Sequence, residues 1–366
     1  MSTKAVRSRV MNSEYMKWAK TGAREKYNLA VSGVAPYPLS ELPVKIEDLE
    51  INGPSAYGYQ PLQNALAAKC GVETNCVVAA IGTSFANFLV MAATIEAGDE
   101  VLIEQPVYDP LSSIAGYLRA EIKRFRRDAA NGFQIDLRDL EHAITSRTRL
   151  IVLTNLHNPS NAYTDEETLR QIGEIARSVG ARVLVDEVYL EAMFERAPRS
   201  SFHLGHEFVV TASLTKAYGL SGLRCGWILA EPDLAKKLWG LVDITIGIPA
   251  HPAELLSVVA LANLGQVAKR SRALLETNRA LLDRFLDQRD DLTAHQPGVG
   301  TVVFPHLKSG KVDELCDLLR EKYETSIVPG RFFEMSEHFR LGYAGAPEMF
   351  GAGIERLGWA LDEMSV

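Results

Sequence analysis

Between residues 60 and 230 the chain alternates short apolar runs, rich in β-branched residues, with longer stretches of helical periodicity. The apolar runs cover residues 77–81, 100–104, 149–154, 181–187 and 208–213. They are mainly apolar throughout rather than at every second position, which is typical of strands buried on both faces of a parallel sheet. This order predicts an α/β fold, with a three-layer αβα large domain and a mostly parallel sheet. One crossover helix is predicted to begin at a capping box formed by Thr164 and Glu167.

After residue 230 the pattern changes to long helical stretches followed by short strand-like segments at residues 301–305, 326–330 and 339–344. We expect a second, smaller α+β domain built from the N- and C-terminal segments.

The predicted division has three parts: an N-terminal arm and part of the small domain at residues 1–45, the large domain at 46–270, and the small C-terminal domain at 271–366. Prolines at positions 36, 38 and 43 indicate that the arm wraps over the rest of the chain rather than folding alone. We interpret the basic stretch around Tyr15 and Trp18 as an amphipathic helix that packs on a partner subunit.

The charge balance restricts the partners. Lys plus Arg number 39 against 46 Asp plus Glu, so the net charge is −7 and no positive field exists to gather nucleic acid or a membrane surface. No apolar stretch has the length of a signal peptide core or a membrane span. The four cysteines lack C-x-x-C spacing, which favours a reducing, cytoplasmic location. His203 and His206 have no third ligand nearby, so no metal site is predicted.

Polar residues follow three of the buried runs, where ligands bind in open α/β sheets. Asn158 follows the run at 149–154, Asp186 ends the apolar part of the next run, and Lys216 follows the run at 208–213. Because the carboxyl ends of parallel strands meet at one edge, we expect a lysine, an acid and an amide to converge on one crevice.

The segment SLTKAYGLSGLRCGW at residues 213–227 resembles the cofactor-lysine signature of the class I and II aminotransferases, the pyridoxal-phosphate enzymes of fold type I. The spacing of other residues follows the same family. Asn158 precedes Asp186 by 28 residues, and Tyr189 follows Asp186 by three. Arg224 follows Lys216 by eight. The resemblance extends from about residue 28 to residue 343.

This resemblance implies a pyridoxal 5'-phosphate cofactor and an aminotransferase that moves an amino group from an amino acid to a 2-oxo acid. Lys216 is the residue expected to hold the cofactor aldehyde as an imine and to move protons at the substrate. Asp186 is expected to keep the pyridine nitrogen protonated. Asn158 and Tyr189 are expected to hydrogen-bond the phenolic oxygen and lower the pKa of the imine.

The resemblance also assigns residues to the phosphate, the ring face and the substrate. The phosphate is expected to lie on Gly82, Thr83 and Ser84, between a strand and a helix, with Ser213 and Arg224 completing the site. Tyr108 is expected to stack on the pyridine. Arg340 in FRLGYA, together with Asn158 and Gly33, is expected to bind the substrate α-carboxylate.

The chain departs from the family pattern at three places. Asn161 stands where the family has glycine; asparagine tolerates a positive φ, so we expect the turn to be kept. The upstream tyrosine motif is compressed to YGYQPLQ, so either Tyr57 or Tyr59 could reach the phosphate of a neighbouring subunit in the homodimer that the family implies. Residues 242–252 contain no arginine where dicarboxylate-specific members place one, which predicts no strong preference for aspartate.

Other functions remain open at this point. A lyase, decarboxylase or cyclase could use the same fold and cofactor, because these do not determine which bond at Cα breaks. Regulators that fuse this fold to a DNA-binding domain need more than the 45 residues that precede the large domain. A dinucleotide-dependent dehydrogenase is disfavoured, since no G-x-G-x-x-G follows a strand.

Overall fold

The structure of the protein, a computed structural model, describes residues 9–365. Within this range the chain forms eleven α-helices: α1 (Glu14–Thr21), α2 (Gln60–Cys70), α3 (Thr83–Thr94), α4 (Asp109–Tyr117), α5 (Leu137–Ala143), α6 (Glu166–Val179), α7 (Pro232–Thr245), α8 (His251–Ala262), α9 (Leu264–Asp287), α10 (Val312–Tyr323) and α11 (Pro347–Met364).

The same residues form fifteen strands: β1 (Tyr27–Asn28), β2 (Val77–Ile81), β3 (Glu100–Gln105), β4 (Glu121–Asp128), β5 (Gln134–Ile135), β6 (Thr148–Thr154), β7 (Arg182–Asp186), β8 (Phe208–Ser213), β9 (Cys225–Leu229), β10 (Leu292–Thr293), β11 (Val302–Val303), β12 (His306–Leu307), β13 (Thr325–Ser326), β14 (Val328–Pro329) and β15 (Phe339–Gly342).

A central sheet of eight strands has the order β2-β9-β8-β7-β6-β3-β4-β5. The strands from β8 through β7, β6 and β3 to β4 are parallel. Neighbouring residues of one strand pack in two different apolar clusters: Val183 lies in the first cluster and Leu184 in the second. This arrangement explains why the strands read as continuous apolar runs, and it confirms the predicted α/β fold with a mostly parallel sheet.

The sequence analysis missed three strands of this sheet: β4, its two-residue neighbour β5, and β9. In β4, EIKRFRRD, four of the eight residues are basic, so it lacks the apolar run of its neighbours. β9 lies inside the lysine signature segment and runs antiparallel to both β8 and β2. The first predicted strand, β2, therefore joins the sheet through an antiparallel neighbour.

The N-terminal segment joins the C-terminal part of the chain. Strand β1 pairs in parallel with β13, and the backbone N–H of Gly342 in β15 donates to the carbonyl of Leu29. Strands β11, β15 and β14 form a small antiparallel sheet, which α9, α10 and α11 cover with a separate apolar core. The predicted small α+β part is confirmed. The domain boundaries stay predictions, and residues 1–8 and 366 lie outside the described part.

One local expectation differs from the structure. α6 is capped by Asp165, whose carboxylate accepts from the backbone N–H of Thr168 at 2.8 Å. The hydroxyl of Thr164 instead accepts from Arg127 at 3.1 Å. Helix α1 packs on its own chain, where Tyr15 is buried against Tyr108 and Phe333, and its contact with a partner subunit stays a prediction. No helix within residues 9–365 is both long and apolar enough to cross a bilayer.

Candidate active site

Lys216 lies in the turn that follows β8, with its side chain directed into the crevice at the carboxyl edge of the sheet. Its Nζ donates to the hydroxyl of Ser32 at 2.9 Å and lies 5.8 Å from the ring centre of Tyr189. Its carbonyl accepts from the backbone N–H of Val34 at 2.9 Å, which holds the N-terminal segment over the lysine. Burial, aided by the positive charge of Arg340, lowers the pKa of Lys216.

Asp186 is the last residue of β7 and is 3% exposed. Its carboxylate accepts from Asn87 Nδ2 at 2.7 Å and from the backbone N–H of Val188 at 3.0 Å. The Oδ1 of Asn87 accepts in turn from the hydroxyl of Thr211 at 2.6 Å, which fixes the orientation of the amide. Burial raises the pKa of Asp186 to about 6, although the hydrogen bonds from Asn87 and Val188 oppose this shift.

Gly82, Thr83, Ser84 and Arg224 meet where β2 passes into α3. Gly82 has a φ of 89°, and a Cβ there would collide with the guanidinium of Arg224, so both the backbone and the space require glycine. Arg224 donates to the carbonyl of Ile81 at 3.1 Å. Among the described residues, the buried hydroxyl of Thr83 has no hydrogen-bond partner. Ser84 is exposed at the start of the helix.

Ser213 is buried at the end of β8, three residues before Lys216. Its hydroxyl accepts from the backbone N–H of Thr215 at 3.4 Å. This contact shapes the turn that carries the lysine.

Arg340 is fully buried in β15 and contacts Asn158. Its Nη1 donates to Asn158 Oδ1 at 3.0 Å, and its Nη2 donates to the hydroxyl of Tyr15 at 2.8 Å. Gly33 lies beside Lys216: a Cβ on Gly33 would be 3.4 Å from Lys216 Cδ. The structure therefore brings Arg340, Asn158, Gly33 and Lys216 to one side of the crevice.

Tyr108 and Tyr189 are aromatic walls of the site. Tyr108 precedes α4 and meets Tyr15 edge to face at a ring distance of 5.5 Å. Tyr189 is 2% exposed after β7. Burial raises the pKa of both phenols, so both are neutral proton donors over the ordinary pH range.

The two upstream tyrosines differ in their surroundings. Tyr57 is 63% exposed. Tyr59 meets His251 edge to face at 4.8 Å, and its backbone N–H donates to Glu254 at 3.4 Å. Neither contacts the crevice of its own chain. Within residues 9–365, no group of three His, Cys, Asp or Glu side chains is placed to hold a metal.

The sequence analysis missed three residues of the site: Tyr15, Ser32 and Asn87. Asn87 had a visible signal, since it is a polar residue within an otherwise apolar helix, four positions after Thr83. Ser32 directly precedes Gly33, which the family resemblance did identify. Tyr15 had no comparable signal because its contact with Arg340 joins positions 325 residues apart.

Comparisons with known proteins show which family the chain belongs to. A family model described as aminotransferase class I and II matches residues 50–357. The chain is 28% identical over 340 residues to the capreomycidine synthase of Streptomyces vinaceus, covering 88% of this chain and 87% of that protein. It is 27% identical over 337 residues to a probable aspartate/prephenate aminotransferase of Aquifex aeolicus, covering 85% and 83%.

Among solved structures, a PLP-dependent aminotransferase from Streptococcus suis matches with a TM-score of 0.91 at 27% identity, covering 97% of this chain and 99% of that one. The fold and the lysine site define the class I and II aminotransferase family, to which this chain belongs. It is an aminotransferase, so the family, the fold and the enzyme class predicted from the sequence are confirmed. The family and the Streptococcus suis neighbour imply pyridoxal phosphate as the cofactor.

Proposed function

We propose that this enzyme transfers an amino group from an amino acid to a 2-oxo acid, with pyridoxal 5'-phosphate bound covalently to Lys216. The observation that carries the proposal is the position of Lys216 Nζ, 2.9 Å from Ser32 and beside the ring of Tyr189. Its lowered pKa increases the fraction of neutral amine, which is the form that attacks an aldehyde and accepts a proton.

The residues around Gly82 fit the cofactor phosphate. The first turn of α3 has backbone N–H groups without partners inside the helix, and the missing Cβ of Gly82 leaves room beside Arg224. The buried hydroxyl of Thr83 has no hydrogen-bond partner among the described residues, so it is free to donate to the phosphate. Arg224 supplies positive charge, and Ser84 and Ser213 add hydroxyl donors.

Asp186 fits the pyridine nitrogen. A buried carboxylate with a raised pKa gains most from a cationic partner, so it would hold a proton on that nitrogen. Tyr108 would cover the ring face, while Asn158 and Tyr189 would donate to the phenolic oxygen. When bound, the cofactor withdraws the electron pair left at the substrate Cα after its proton departs. Lys216 would take that proton at Nζ and later return it.

The substrate carboxylate would bind Arg340, with Asn158 holding the guanidinium in place at 3.0 Å and the Gly33 backbone closing the site beside Lys216. A buried arginine gives a carboxylate strong, directional hydrogen bonds. Because residues 242–252 contain no arginine, we expect no strong preference for aspartate.

We propose a homodimer in which Tyr57 reaches the phosphate of the partner subunit. Tyr57 is exposed, whereas Tyr59 is tied to His251 within its own chain, and this difference favours Tyr57. Ile51, 82% exposed, and Ile248, 50% exposed, line one hollow next to Tyr57, as expected of a surface that another copy covers. Four free cysteines support a cytoplasmic location, which cell fractionation would test.

The covalent site is tested with Lys216→Ala and, as a matched control, Lys236→Ala, which removes an exposed lysine of α7. Wild-type and control proteins, loaded with the cofactor and reduced with borohydride, should carry the adduct on the peptide containing residue 216. Lys216→Ala should carry none and should lose transaminase activity in a donor-by-acceptor panel. An adduct elsewhere in the wild-type protein, or its absence, would contradict the proposal.

A second candidate is a cyclase, lyase or decarboxylase reaction on the same scaffold, which the 28% identity to capreomycidine synthase favours. The two candidates differ in stoichiometry. Transamination consumes one 2-oxo acid for each amino acid, whereas the alternatives release ammonia, carbon dioxide or a rearranged amino acid without an acceptor. Product analysis with and without 2-oxoglutarate therefore separates them.

A further inference from the structure

Ser32 is the residue that hydrogen-bonds the side chain of Lys216. It is 6% exposed, and its Oγ lies 2.9 Å from Lys216 Nζ. Within residues 9–365 this is the one hydrogen bond that Nζ makes. A protonated amine can only donate, so the serine oxygen is the acceptor in this contact. The hydroxyl proton of Ser32 is therefore directed away from the lysine, toward another acceptor.

The phenol of Tyr189 is that second acceptor. Burial raises the pKa of Tyr189, and a hydrogen bond with Ser32 opposes this shift. The three groups form a chain in which Lys216 donates to Ser32 and Ser32 donates to Tyr189. Because its proton is used at Tyr189, Ser32 does not compete for the lone pair of a neutral lysine amine, which stays available to accept a proton.

The backbone holds Ser32 in this position without help from its hydroxyl. The carbonyl of Ser32 accepts from the hydroxyl of Thr301 at 2.8 Å, and the backbone N–H of Val34 donates to the carbonyl of Lys216 at 2.9 Å. Between these two anchors, a Cβ on Gly33 would lie 3.4 Å from Lys216 Cδ, so the segment runs alongside the lysine. Removing the Ser32 hydroxyl therefore changes the contact with Nζ and leaves the backbone bonds in place.

A protonated Lys216 needs a stabilising contact at this place. Burial is the largest of the effects on its pKa, and it lowers the pKa by disfavouring the charged amine. Four ionisable groups act on Nζ without a hydrogen bond to it: Tyr15, Arg340, Asp186 and Arg224. Two of them raise the pKa and two lower it, so they offset one another in part. Ser32 is the group that stabilises the charged amine by direct contact.

We propose that Ser32 is a further catalytic residue: its hydroxyl accepts a hydrogen bond from Lys216 after Nζ has taken the proton of the substrate Cα, and it holds that proton until Nζ returns it. The inference rests on the proposed function, because it takes Lys216 as the base. In this step the C–H bond at Cα breaks, an N–H bond forms at Nζ, and the electron pair stays with the bound substrate and cofactor. Ser32 stabilises the positive charge that develops on Nζ.

Competitive labelling of the cofactor-free protein with acetic anhydride measures the pKa of Lys216, because only the neutral amine reacts, and exposed Lys236 serves as the internal reference. Ser32→Ala removes the acceptor of the protonated amine and should lower this pKa by about 1. Ser32→Thr keeps the hydroxyl and should retain the wild-type pKa, as should Ser178→Ala at an exposed serine of α6. An unchanged or raised pKa in Ser32→Ala, or a fall that Ser32→Thr shares, would overturn the inference.

Hydrogen exchange at the substrate tests the role in proton transfer. The cofactor-loaded enzyme is incubated in deuterated water, without a 2-oxo acid, with the most active donor of the amino acid panel. Deuterium that enters at Cα reports removal and return of the proton. This exchange should slow roughly tenfold in Ser32→Ala, while the affinity for the donor stays within about twofold of wild type. Exchange as fast as in wild type would overturn the catalytic role of Ser32, even if the pKa of Lys216 falls.

The borohydride experiment separates this inference from the proposed function. If the wild-type protein carries no adduct at residue 216, the proposed function is wrong, and the catalytic role of Ser32 fails with it. If the adduct and the transaminase activity are present, but Ser32→Ala changes neither the pKa of Lys216 nor the exchange at Cα, only the inference about Ser32 is wrong.

Discussion

Burial destabilises the ionised form of the Asp186 carboxyl. Burial raises its pKa from 3.8 to about 6, so in the cofactor-free protein the folded state favours the protonated carboxyl more than the unfolded state does. The resulting stabilisation is fully present below pH 3.8 and is lost as the pH rises through about 6. At neutral pH the ionised carboxylate therefore destabilises the empty protein, which makes the site favourable for a cation.

Asp186→Asn should remove this pH dependence. In Asp186→Asn the amide of Asn87 can flip, since the hydroxyl of Thr211 can donate or accept, so the buried network stays satisfied. We expect cofactor-free Asp186→Asn to be more stable than wild type by on the order of 3 kcal/mol at pH 8, and by roughly half of that at pH 5. Urea unfolding at both pH values measures the difference. An advantage that does not change with pH would contradict this account, and the variant should lose transaminase activity.

A site residue could be predicted from the sequence only where its position follows from the local order of strands and loops. Lys216 and Asn158 follow buried strands and Asp186 ends one, so the sequence alone could bring all three to one edge of the sheet. Tyr15 and Ser32 reach the site only through the tertiary arrangement of the N-terminal segment: Ser32 meets Lys216 across 184 positions of the chain. No local periodicity carries that information.

At the level of elements, the loop between β6 and α6 depends on Asn161. Its φ of 59° is in the left-handed region, as expected for asparagine in place of glycine. Its side chain does what glycine cannot: Nδ2 donates to the carbonyls of Val302 at 2.5 Å and Val299 at 3.3 Å. The loop that carries Asn158 is thereby joined to β11.

Substitutions at Asn161 should separate backbone strain from these hydrogen bonds. Asn161→Gly relieves the strain but loses the bonds, and we expect a loss of about 1 kcal/mol in the free energy of unfolding. Asn161→Ala loses the bonds and keeps the strain, so we expect a loss of about 2–3 kcal/mol. Chemical denaturation measures both. A glycine variant as stable as wild type would show that the hydrogen bonds only offset the strain, and an alanine variant as stable as wild type would show that the amide contributes nothing.

A buried ion pair contacts the residues on both sides of the same loop. Arg127 of β4 bonds to Glu104 of β3 at 2.7 Å, and both side chains are fully buried. The same guanidinium also donates to the carbonyl of Thr154 at 3.3 Å and to the hydroxyl of Thr164 at 3.1 Å, on either side of the loop. Basic residues are the reason that the sequence analysis missed β4, and one of them, Arg127, has a structural role.

Removing one partner of this pair should cost more than removing both. Arg127→Met leaves Glu104 buried without its cation, and we expect a loss of about 3–5 kcal/mol in unfolding free energy. Adding Glu104→Gln should recover part of that loss, because no charge is then left unpaired. Equilibrium unfolding of the single and double variants measures the coupling. A double variant less stable than Arg127→Met would argue against it.

For the whole molecule, the alternation of strand and helix predicted the layers but not the order of the strands. The parallel run from β8 to β3 follows from strands that need crossovers and bury both faces. The antiparallel insertion of β9 between β8 and β2 has no such signal, because its direction is set by how the chain returns after the lysine turn. The pairing of β1 with β13 likewise joins the two ends of the chain through contacts that no local pattern specifies.

The proposed dimer gives the last prediction. Ile248 is 50% exposed in the connection between α7 and α8, where it lines one hollow with Ile51 and with Ala56 and Gly58, the chain neighbours of Tyr57. Ile248→Glu places a charge where we expect a second copy to bury an apolar surface, so it should shift the protein to monomers. Light scattering measures this shift. Cofactor affinity should fall with it, because Tyr57 could no longer reach the partner's phosphate.

Trp359→Glu is the matched control, since Trp359 is 45% exposed on α11, outside that surface. It should remain dimeric and bind the cofactor normally. If wild-type protein is monomeric, or if Ile248→Glu remains a dimer with unchanged cofactor affinity, this surface is not the interface. Tyr57 would then have no role at the phosphate, and the site would have to be complete within one chain.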